Sequence, residues 1–387
     1  MLFSDVYVNE DVKNRLRRTV QNQRVSHAQL FLGSEGTHSL ALAIAYAQYI
    51  NCSHRTEKDS CGICPSCKKY QQLAHPDLHF YFPNATNQKI KKDPQSSEFY
   101  TEWREMILST QAMFTLNDWY SKIEIENKQG IINTKDVEDL LYKASMKAYE
   151  AEYKVFVIWM IDKLRFDAAT KLLKTLEEPD GKTLFVLITE NHDKVLKTVL
   201  SRTQLLKINK LSTDALVDVL MQTKHYDAST AQYIAISSDN HLIHAMRTQE
   251  DENEDVFKLN LFVACMRLAY QLAFPSHTFD FNSVVDFISK LEALGREKQK
   301  DFLRYVISFV RKSMLLDYNL NNLLRITKQE QEALLKFRSF IHKNNVSVFY
   351  KYFNDAISHI EYNVNAKILF ADLLISLSYI LAKQKTA

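Results

Sequence analysis

Glycine is scarce in this chain, and its scarcity limits what the chain can fold into. Only six of the 387 residues are glycine, whereas glycine makes up about 7% of an average protein. A chain with so few glycines has few tight turns, which favours a largely helical fold. Two of the six, Gly33 and Gly36, lie three residues apart directly after the apolar run 29–32. This pair is therefore a candidate for a specialised loop.

The charge is nearly balanced and the hydrophobic content is ordinary. There are 49 basic and 46 acidic residues, which give a net charge of +3. This balance provides no broad basic surface for strong autonomous nucleic-acid binding. The start of the sequence lacks a secretory signal pattern, and no apolar run reaches about 18 residues. The best membrane candidate, 368–381, is short and contains Asp372, so we expect a cytoplasmic protein without a membrane segment.

Four of the five cysteines follow the spacing C-x8-C-x2-C-x2-C. A disulfide framework is not expected in a long cytoplasmic chain. Four thiolates at this density favour a tetrahedral zinc ion, and four protein ligands leave no position for water, so the site is predicted to be structural. The alternatives are reduced cysteines without a metal, or a redox C-x-x-C pair. The predicted ligands are Cys52, Cys61, Cys64 and Cys67, and the fifth cysteine, Cys265, is predicted to be a buried core thiol.

The segment around Gly33 and Gly36 has the order strand, loop, helix that phosphate-binding loops use. The run 29–32 predicts a buried strand, and 40–50 predicts a helix. The full motif is G-x-x-x-x-G-K-[ST], in which the lysine neutralises phosphates and the hydroxyl holds magnesium. Here the second glycine, the lysine and the hydroxyl are replaced, in that order, by His38, Ser39 and Leu40. We therefore predict a degenerate phosphate loop with no productive ATP site.

A second apolar run, 154–160, predicts a fully buried strand. In a phosphate-loop ATPase such a strand ends in Asp-Glu, which orders magnesium and positions the attacking water. Trp159 and Met160 stand at those two positions in this chain. Asp162 is offset by three residues, and we interpret it as a carboxylate at a helix N-terminus or on the surface. The acidic pair is therefore predicted to be absent.

The run 172–179, Leu-Leu-Lys-Thr-Leu-Glu-Glu-Pro, resembles the bacterial clamp-loader subunits gamma, tau and delta-prime, which have an AAA+ fold. The cysteine module also lies where that family places it, after the helix that follows the phosphate loop. Other matches are His27-Ala28, His75-Pro76-Asp77, the strand 184–189, and Ser201-Arg202-Thr203, which is similar to the family's Ser-Arg-Cys motif.

The resemblance covers residues 1–80 and about 130–250. Between these parts lies an aromatic-rich insertion, 80–130, which is similar to versions seen in the Bacteroidetes group. No motif in it indicates a role, and we expect it to add surface packing.

In the clamp loaders that this chain resembles, five subunits form a ring with a gap, and ATP lies at the subunit interfaces. The arginine of the Ser-Arg-Cys motif reaches into a neighbour's ATP site, where it stabilises the transferring phosphoryl group. Arg202, with Ser201, matches that position. Without the resemblance, a surface ion pair would be the simpler interpretation of Arg202. Ile243 stands where the motor subunits carry an arginine that senses the gamma phosphate.

The resemblance thus implies a delta-prime type of subunit, which has lost the groups for hydrolysis in cis but keeps Arg202 to act in trans. It implies a RecA-like AAA+ domain, 1–207, with the zinc module at 52–67, then a helical lid, 208–250, and a helical collar, 251–387. The implied partners are gamma or tau and delta within the DNA polymerase III holoenzyme, with sliding clamp and primer-template DNA contacted mostly through the complex.

Two other functions remain open from the sequence. One is an active ATPase of the gamma or tau type, which would have to work without the usual lysine, hydroxyl and acidic pair. The other is a zinc-dependent DNA-binding protein, against which the weak net charge argues. ATP turnover and salt-sensitive DNA binding by the isolated chain distinguish these functions from the delta-prime type.

Overall fold

The computed structural model describes residues 1–125, 128–274, 280–317, 328–337, 340 and 345–384. The chain forms two compact units, Met1–Met246 and Arg247–Ala387. The first is built around a sheet, and the second is helical in its described residues. This confirms the predicted combination of an α/β domain with an all-α region.

The sheet of the first unit is parallel throughout, and each strand is a short apolar run. The strands are β1 Ala28–Gly33, β2 Leu78–Tyr81, β3 Lys154–Trp159, β4 Thr183–Thr189 and β5 Gln204–Ile208. Among the described residues their order is β2-β3-β4-β1-β5. Parallel sheets bury both faces, so their strands are apolar at nearly every position. β3 and β4 are buried along their whole length, which confirms the strands predicted at 29–32, 154–160 and 184–189.

Helices cover both faces of this sheet, and the last three helices of the first unit, between Thr213 and Met246, pack on one another around a core of their own. Their bounds are α1 Glu10–Gln21, α2 Ser39–Ile50, α3 Pro65–Gln71, α4 Tyr100–Thr110, α5 Leu116–Lys122, α6 Thr134–Ser145, α7 Phe166–Glu177, α8 Lys197–Leu200, α9 Thr213–Lys224, α10 Ala228–Ser237 and α11 Leu242–Met246. Short 3-10 helices lie at Phe3–Asp5, Ser96–Phe99, Ile161–Lys163 and His192–Lys194. Successive strand residues point to opposite faces. In β3, Val157 and Trp159 therefore pack with α1, α2, α4 and α5, while Phe156 and Ile158 pack with α6, α7 and α8.

The insertion 80–130 contributes to the core, so the expectation that it adds surface packing is wrong. Trp103 on α4 and Trp119 on α5 are fully buried, and their ring centroids lie 5.0 Å apart at 84°. Phe82 stacks on Trp103 with a centroid distance of 4.2 Å. Buried aromatic pairs add about 0.5–1.5 kcal/mol each beyond their area burial. These rings therefore make the insertion an integral part of the first unit.

Helices alone form the second unit over its described residues: α12 Thr248–Ala273, α13 Asn282–Ala293, α14 Arg296–Asp317, α15 Lys328–Phe337, α16 Val346–Glu361 and α17 Ala366–Gln384. One face of α14 is apolar, because Phe302, Val306, Phe309 and Val310 recur at helical spacing and are buried, with Tyr305 packed beside them. Cys265 on α12 is buried as predicted, and burial raises the pKa of its thiol to about 12.

One stretch in the described part of the chain, Val256–Ala273 in α12, is long and apolar enough to span a membrane by length and composition. The sequence had indicated 368–381 as the best candidate and no run of sufficient length. The stretch Val256–Ala273 places Phe262, Met266 and Ala269 on one face, and all three are buried in the core of the helical unit. A core helix with one buried face accounts for its apolar composition.

A candidate metal site and a degenerate nucleotide site

The four clustered cysteines converge on one point. The Sγ atoms of Cys52, Cys61, Cys64 and Cys67 all lie within 4.8 Å of one another, and those of Cys61 and Cys67 are 3.9 Å apart. A tetrahedral zinc site with Zn–S bonds of about 2.3 Å has sulfur–sulfur distances of about 3.8 Å. The four thiols therefore have a size and donor set that fit a metal ion such as zinc.

Backbone N–H groups of the module point at its sulfur atoms. The N–H of Cys61 donates to the Sγ of Cys52 at 3.2 Å, and the N–H of Cys67 donates to the Sγ of Cys64 at 3.4 Å. Cys64 is the N-cap of α3, and Pro65 starts that helix. Burial raises the pKa of the Cys64 thiol, but the N–H groups of Cys67 and Ser53 outweigh it and hold the pKa down to about 6. This backbone favours a thiolate, which is the form that binds metals.

Buried polar side chains attach the cysteine module to the sheet. Asn51 follows α2, and its side chain donates to the Tyr70 hydroxyl at 2.7 Å and to the Tyr153 carbonyl at 2.8 Å. The Tyr153 N–H donates back to the Asn51 side chain at 3.0 Å. The module is therefore fixed to the start of β3 and is a part of the first unit.

The His-Pro-Asp motif after the cysteines has a structural role. The buried carboxylate of Asp77 accepts hydrogen bonds from the N–H groups of Tyr149, Glu150 and Ala151 at 2.6–2.9 Å. Burial raises the pKa of Asp77, but these three N–H donors outweigh it and lower the pKa below its ordinary value. The Nδ1 of His75 accepts from the Asp77 N–H at 3.2 Å. The motif thus holds the chain that leads into β3.

The segment that the sequence predicts to be a degenerate phosphate loop lies between β1 and α2. Gly33 ends β1, and Ser39 starts α2, where both Ser39 and Leu40 are buried. The Ser39 hydroxyl lies 2.8 Å from the Thr37 hydroxyl, which also donates to the Ser34 carbonyl. Hydroxyl groups bonded to each other within the loop do not provide the cation that phosphate oxygens require.

His38, at the position of the motif's second glycine, is fully buried and joined to two other segments. Its Nδ1 accepts from the Tyr7 N–H at 3.1 Å, and its Nε2–H donates to the Gln111 carbonyl at 2.8 Å. The ring also stacks on Tyr7 at 5.6 Å and 8°. Burial lowers the pKa of His38 to about 4, so the ring is neutral at pH 7. His38 therefore links the loop to the segments that contain Tyr7 and Gln111.

Gly36, the second glycine present in the loop, packs against the side chain of His241 from a later segment. Gly36 has φ +83°, and an ideal Cβ at Gly36 would lie 2.4 Å from the Nδ1 of His241. His241 in turn stacks on His244, with ring centroids 3.8 Å apart. Ile243 of the same segment, which was compared in the sequence with the sensor arginine of motor subunits, is buried. Sequence reasoning missed His241, although it had singled out the segment.

The strand that ends in Asp-Glu in ATPases ends here in an aromatic cluster. Trp159 is 4% exposed, and its ring lies 5.2 Å from Trp103 and 5.4 Å from Phe114, both in the insertion. Met160 follows with φ +56° and is also buried. The carboxyl end of β3 is therefore apolar, and the insertion packs directly on it. Nothing in the sequence linked the insertion to this edge, because the contact joins residues more than 40 positions apart.

Of the two interpretations of Asp162, the position at a helix N-terminus is confirmed and the surface position is wrong. Asp162 lies in the 3-10 helix Ile161–Lys163, and its side chain is only 7% exposed. One carboxylate oxygen accepts from the Thr189 hydroxyl at 2.9 Å. This bond joins the turn after β3 to the end of β4, so Asp162 has a structural partner.

Arg202 follows α8 and is held in a network of local contacts. Its guanidinium forms an ion pair with Glu177 and donates to the Thr198 carbonyl at 2.8 Å. The Ser201 hydroxyl accepts from the guanidinium at 3.3 Å and itself donates to Thr198 at 3.1 Å. Its side chain is 28% exposed, so part of the cation faces solvent. Glu177 belongs to the Leu-Glu-Glu-Pro run, but no role for it was predicted from the sequence.

Comparison with known proteins agrees with the motifs. The sequence model of a family described as "DNA polymerase III, delta subunit" matches residues 8–212. DNA polymerase III subunit delta' of Bacillus subtilis is 28% identical over 211 residues, which are 54% of this chain and 50% of that protein. Subunit tau of the same organism is 26% identical over 215 residues, which are 56% of this chain and 30% of that protein. The chain thus spans half or less of the length of these relatives.

Among solved structures, a DNA polymerase III gamma subunit-related protein from Thermotoga maritima is similar, with a TM-score of 0.40 and 13% identity. That match covers 96% of this chain and 99% of the other. The family match extends from the end of the N-terminal segment, through the cysteine module and Arg202, to the start of α9. The chain belongs to the family described as "DNA polymerase III, delta subunit", in agreement with the clamp-loader resemblance of its motifs.

Proposed function

We propose that this chain is a delta-prime type clamp-loader subunit, which does not hydrolyse ATP itself and supplies Arg202 to the ATP site of a neighbouring subunit. The family match and the similarity to a delta' subunit support the clamp-loader part of this proposal. The altered residues of the nucleotide site support the absence of hydrolysis by the chain itself, and the retained Arg202 supports its action on a neighbouring subunit.

A single observation carries the non-hydrolysing role. Trp159 stands where the acidic pair begins in an ATPase, and it is buried against Trp103 and Phe114 of the insertion. Magnesium requires oxygen ligands, and the attacking water requires a polar group to orient it. A tryptophan in an aromatic core provides neither. Replacing that core with a carboxylate would bury an unpaired charge, so the apolar cluster and magnesium chemistry exclude each other at this position.

Arg202 fits the role of a trans-acting group because its cation is retained and accessible. Its guanidinium is partly exposed, and its ion-pair partner Glu177 is 46% exposed. Exposed pairs of this kind contribute only about 0–1 kcal/mol. The part of the guanidinium that faces solvent can therefore approach a phosphate group in a neighbouring site while the pair with Glu177 remains in place.

We further propose that Cys52, Cys61, Cys64 and Cys67 hold a structural zinc ion. Bound zinc would cross-link the loop after α2 to the start of α3, and four thiolate ligands would leave it no position for catalysis. The convergence of the four sulfur atoms and the N–H groups aimed at them support this assignment.

The proposed organisation is a nucleotide-fold domain, 1–207, a helical lid, 208–250, and a helical collar, 251–387, that joins neighbouring subunits. An exposed apolar stripe on α17 supports the collar role: Ile368, Ile375 and Tyr379 share one face and are 49–68% exposed. Stripes of this kind mark interaction surfaces. We propose gamma or tau and delta as the partners in a cytoplasmic replisome, with clamp and DNA reached through the complex.

Reconstitution tests this proposal. The chain is mixed with the gamma or tau and the delta subunits of its own organism, and sliding-clamp loading onto primed DNA is measured with and without it. We expect one complex to form and clamp loading to require this chain. Loading that proceeds equally well without the chain would contradict the proposal. ATP turnover by the isolated chain would instead support an active ATPase of the gamma or tau type.

A further inference from the structure

Glu177 and Arg202 come from two motifs that are 25 positions apart in the sequence and meet as an ion pair in the structure. We propose that Glu177 is a positioning residue, which holds the guanidinium of Arg202 in the orientation needed to enter a neighbouring ATP site. This inference rests on the proposed function, because it assigns a role to a second residue of the same site.

The position of Glu177 is unfavourable for the helix that carries it. Glu177 is the last residue of α7. A carboxylate at a helix C-terminus opposes the helix dipole, at a cost of about 0.3–1 kcal/mol. Helix stability therefore does not explain a glutamate here, whereas its contact with the guanidinium of Arg202 does.

The end of α7 is itself fixed to the sheet. The Nε2–H of His27, which immediately precedes β1, donates to the Leu176 carbonyl at 2.9 Å. The His27 carbonyl accepts from the Phe185 N–H of β4 at 2.7 Å. His27, at the start of β1, thus connects β4 to Leu176, the residue before Glu177. The His-Ala, Leu-Glu-Glu-Pro and Ser-Arg motifs, which are scattered along the sequence, form one continuous chain of contacts that ends at Arg202.

The orientation of the Arg202 guanidinium depends on Glu177, because the other contacts of Arg202 hold only one of its two terminal nitrogens. Thr198 and Ser201 both receive hydrogen bonds from Nη1, whereas Nη2 is the nitrogen that pairs with Glu177. Arginine has about 2 kcal/mol of rotamer entropy, and a planar guanidinium held at both terminal nitrogens has lost most of that freedom before it meets a ligand. Without Glu177, one terminal nitrogen remains held, and the plane of the guanidinium is free to turn.

The test uses the reconstituted complex and compares Glu177→Ala, Glu177→Gln, Arg202→Ala and the double variant Glu177→Ala/Arg202→Ala. An exposed pair of this strength corresponds to a roughly two- to fivefold effect. We expect Glu177→Ala to lower the kcat of DNA-stimulated ATP hydrolysis by about that factor, with KM for ATP unchanged, because the arginine acts on the transition state. Glu177→Gln keeps an oxygen acceptor and should restore kcat to within about twofold.

The double variant should be no slower than Arg202→Ala alone, because a positioning residue has no effect once its partner is absent. A matched control is Glu138→Ala, which removes an exposed carboxylate on α6 that pairs at 2.6 Å with Lys171 of α7, the helix that carries Glu177, and should leave kcat unchanged. An unchanged kcat in Arg202→Ala would overturn the proposed function itself. A normal kcat in Glu177→Ala, or an additive loss in the double variant, would overturn only the positioning role.

Discussion

The Nε2–H of His38 donates a hydrogen bond to the backbone carbonyl of Gln111, 2.8 Å away. This bond joins the degenerate phosphate loop to the insertion, and the Nδ1 of the same ring accepts from the N–H of Tyr7. One neutral imidazole therefore satisfies a donor and an acceptor from two segments that are far apart in the sequence. The loop between β1 and α2 is therefore hydrogen-bonded through His38 to two other segments of the same chain.

The stability of the chain should depend on the neutral form of His38. The pKa of His38 is about 4 in the folded protein and about 6.5 in the unfolded chain. The unfolded state therefore binds more protons between these values, so the contribution of His38 is complete above about pH 6.5 and is lost as the pH falls toward 4. From pH 7.5 to 5.0 this loss is about 2 kcal/mol. We expect His38→Gln, which keeps one donor and one acceptor, to lose less stability over that interval.

Urea unfolding of both proteins at the two pH values measures this difference. His192→Gln is the control for the exchange itself, because the His192 side chain is 46% exposed. Equal losses of unfolding free energy in the parent and in His38→Gln would contradict the role of the neutral ring.

The strands and the two-part architecture were predictable, because each buried strand is a short apolar run and each long helix has one apolar face. The Ser212 hydroxyl accepts from the Ala215 N–H at the start of α9, which is the type of cap that serine commonly provides. The structural role of the insertion 80–130 was not predictable. Its aromatic residues contact β3 and the phosphate loop through pairings that leave no local pattern, since tertiary packing of single rings has no fixed sequence period.

The aromatic cluster should contribute strongly to stability. Trp103 is fully buried and contacts Phe82, Trp119 and Trp159. Truncating a buried tryptophan removes apolar contact and leaves a cavity, which costs about 3–5 kcal/mol. We expect Trp103→Ala to lower the free energy of unfolding by about that amount in denaturant titration. Tyr142→Ala serves as the control, because Tyr142 is 63% exposed and should cost under about 0.5 kcal/mol. Equal effects in the two variants would refute a core role for the insertion.

The contact between Gly36 and His241 gives a test that uses a second glycine as its reference. Gly36 and Gly181 both have positive φ, but a Cβ at Gly181 would meet nothing within 4 Å. Gly181→Ala therefore reports only the conformational cost, about 1 kcal/mol. Gly36→Ala adds a collision with the imidazole ring and should cost at least about 1 kcal/mol more. Thermal or denaturant unfolding compares the two, and similar losses would contradict the packing of His241 on the loop.

Zinc content tests the cysteine cluster. We expect about one zinc ion per chain by elemental analysis. Cys67→Ala, which removes a fully buried ligand, should abolish zinc binding, whereas Cys265→Ala, in the helical unit, should retain it. Structural zinc in small sites supplies about 10–16 kcal/mol of apparent binding free energy, so the loss should also destabilise the first unit. A folded preparation of the unaltered chain without metal would disprove the zinc assignment.

The candidate site was predictable only in part, for a physical reason. The four cysteines are close in sequence, so their convergence could be read from spacing alone. Glu177 and His27 were visible within motifs, but their contacts depend on α7 ending beside both β1 and α8. His241 and Gln111 reach the loop from distant segments, and only the folded chain brings them there.

We propose above all that this chain acts on a neighbour's ATP rather than on its own. ATP turnover tests it most directly when measured for the isolated chain and for the reconstituted complex containing either the unaltered chain or Arg202→Ala. We predict no turnover by the isolated chain, a severalfold loss of DNA-stimulated turnover in the Arg202→Ala complex, and an unchanged unfolding transition of the variant. Turnover by the isolated chain, or an Arg202→Ala complex as fast as the unaltered one, would contradict the claim.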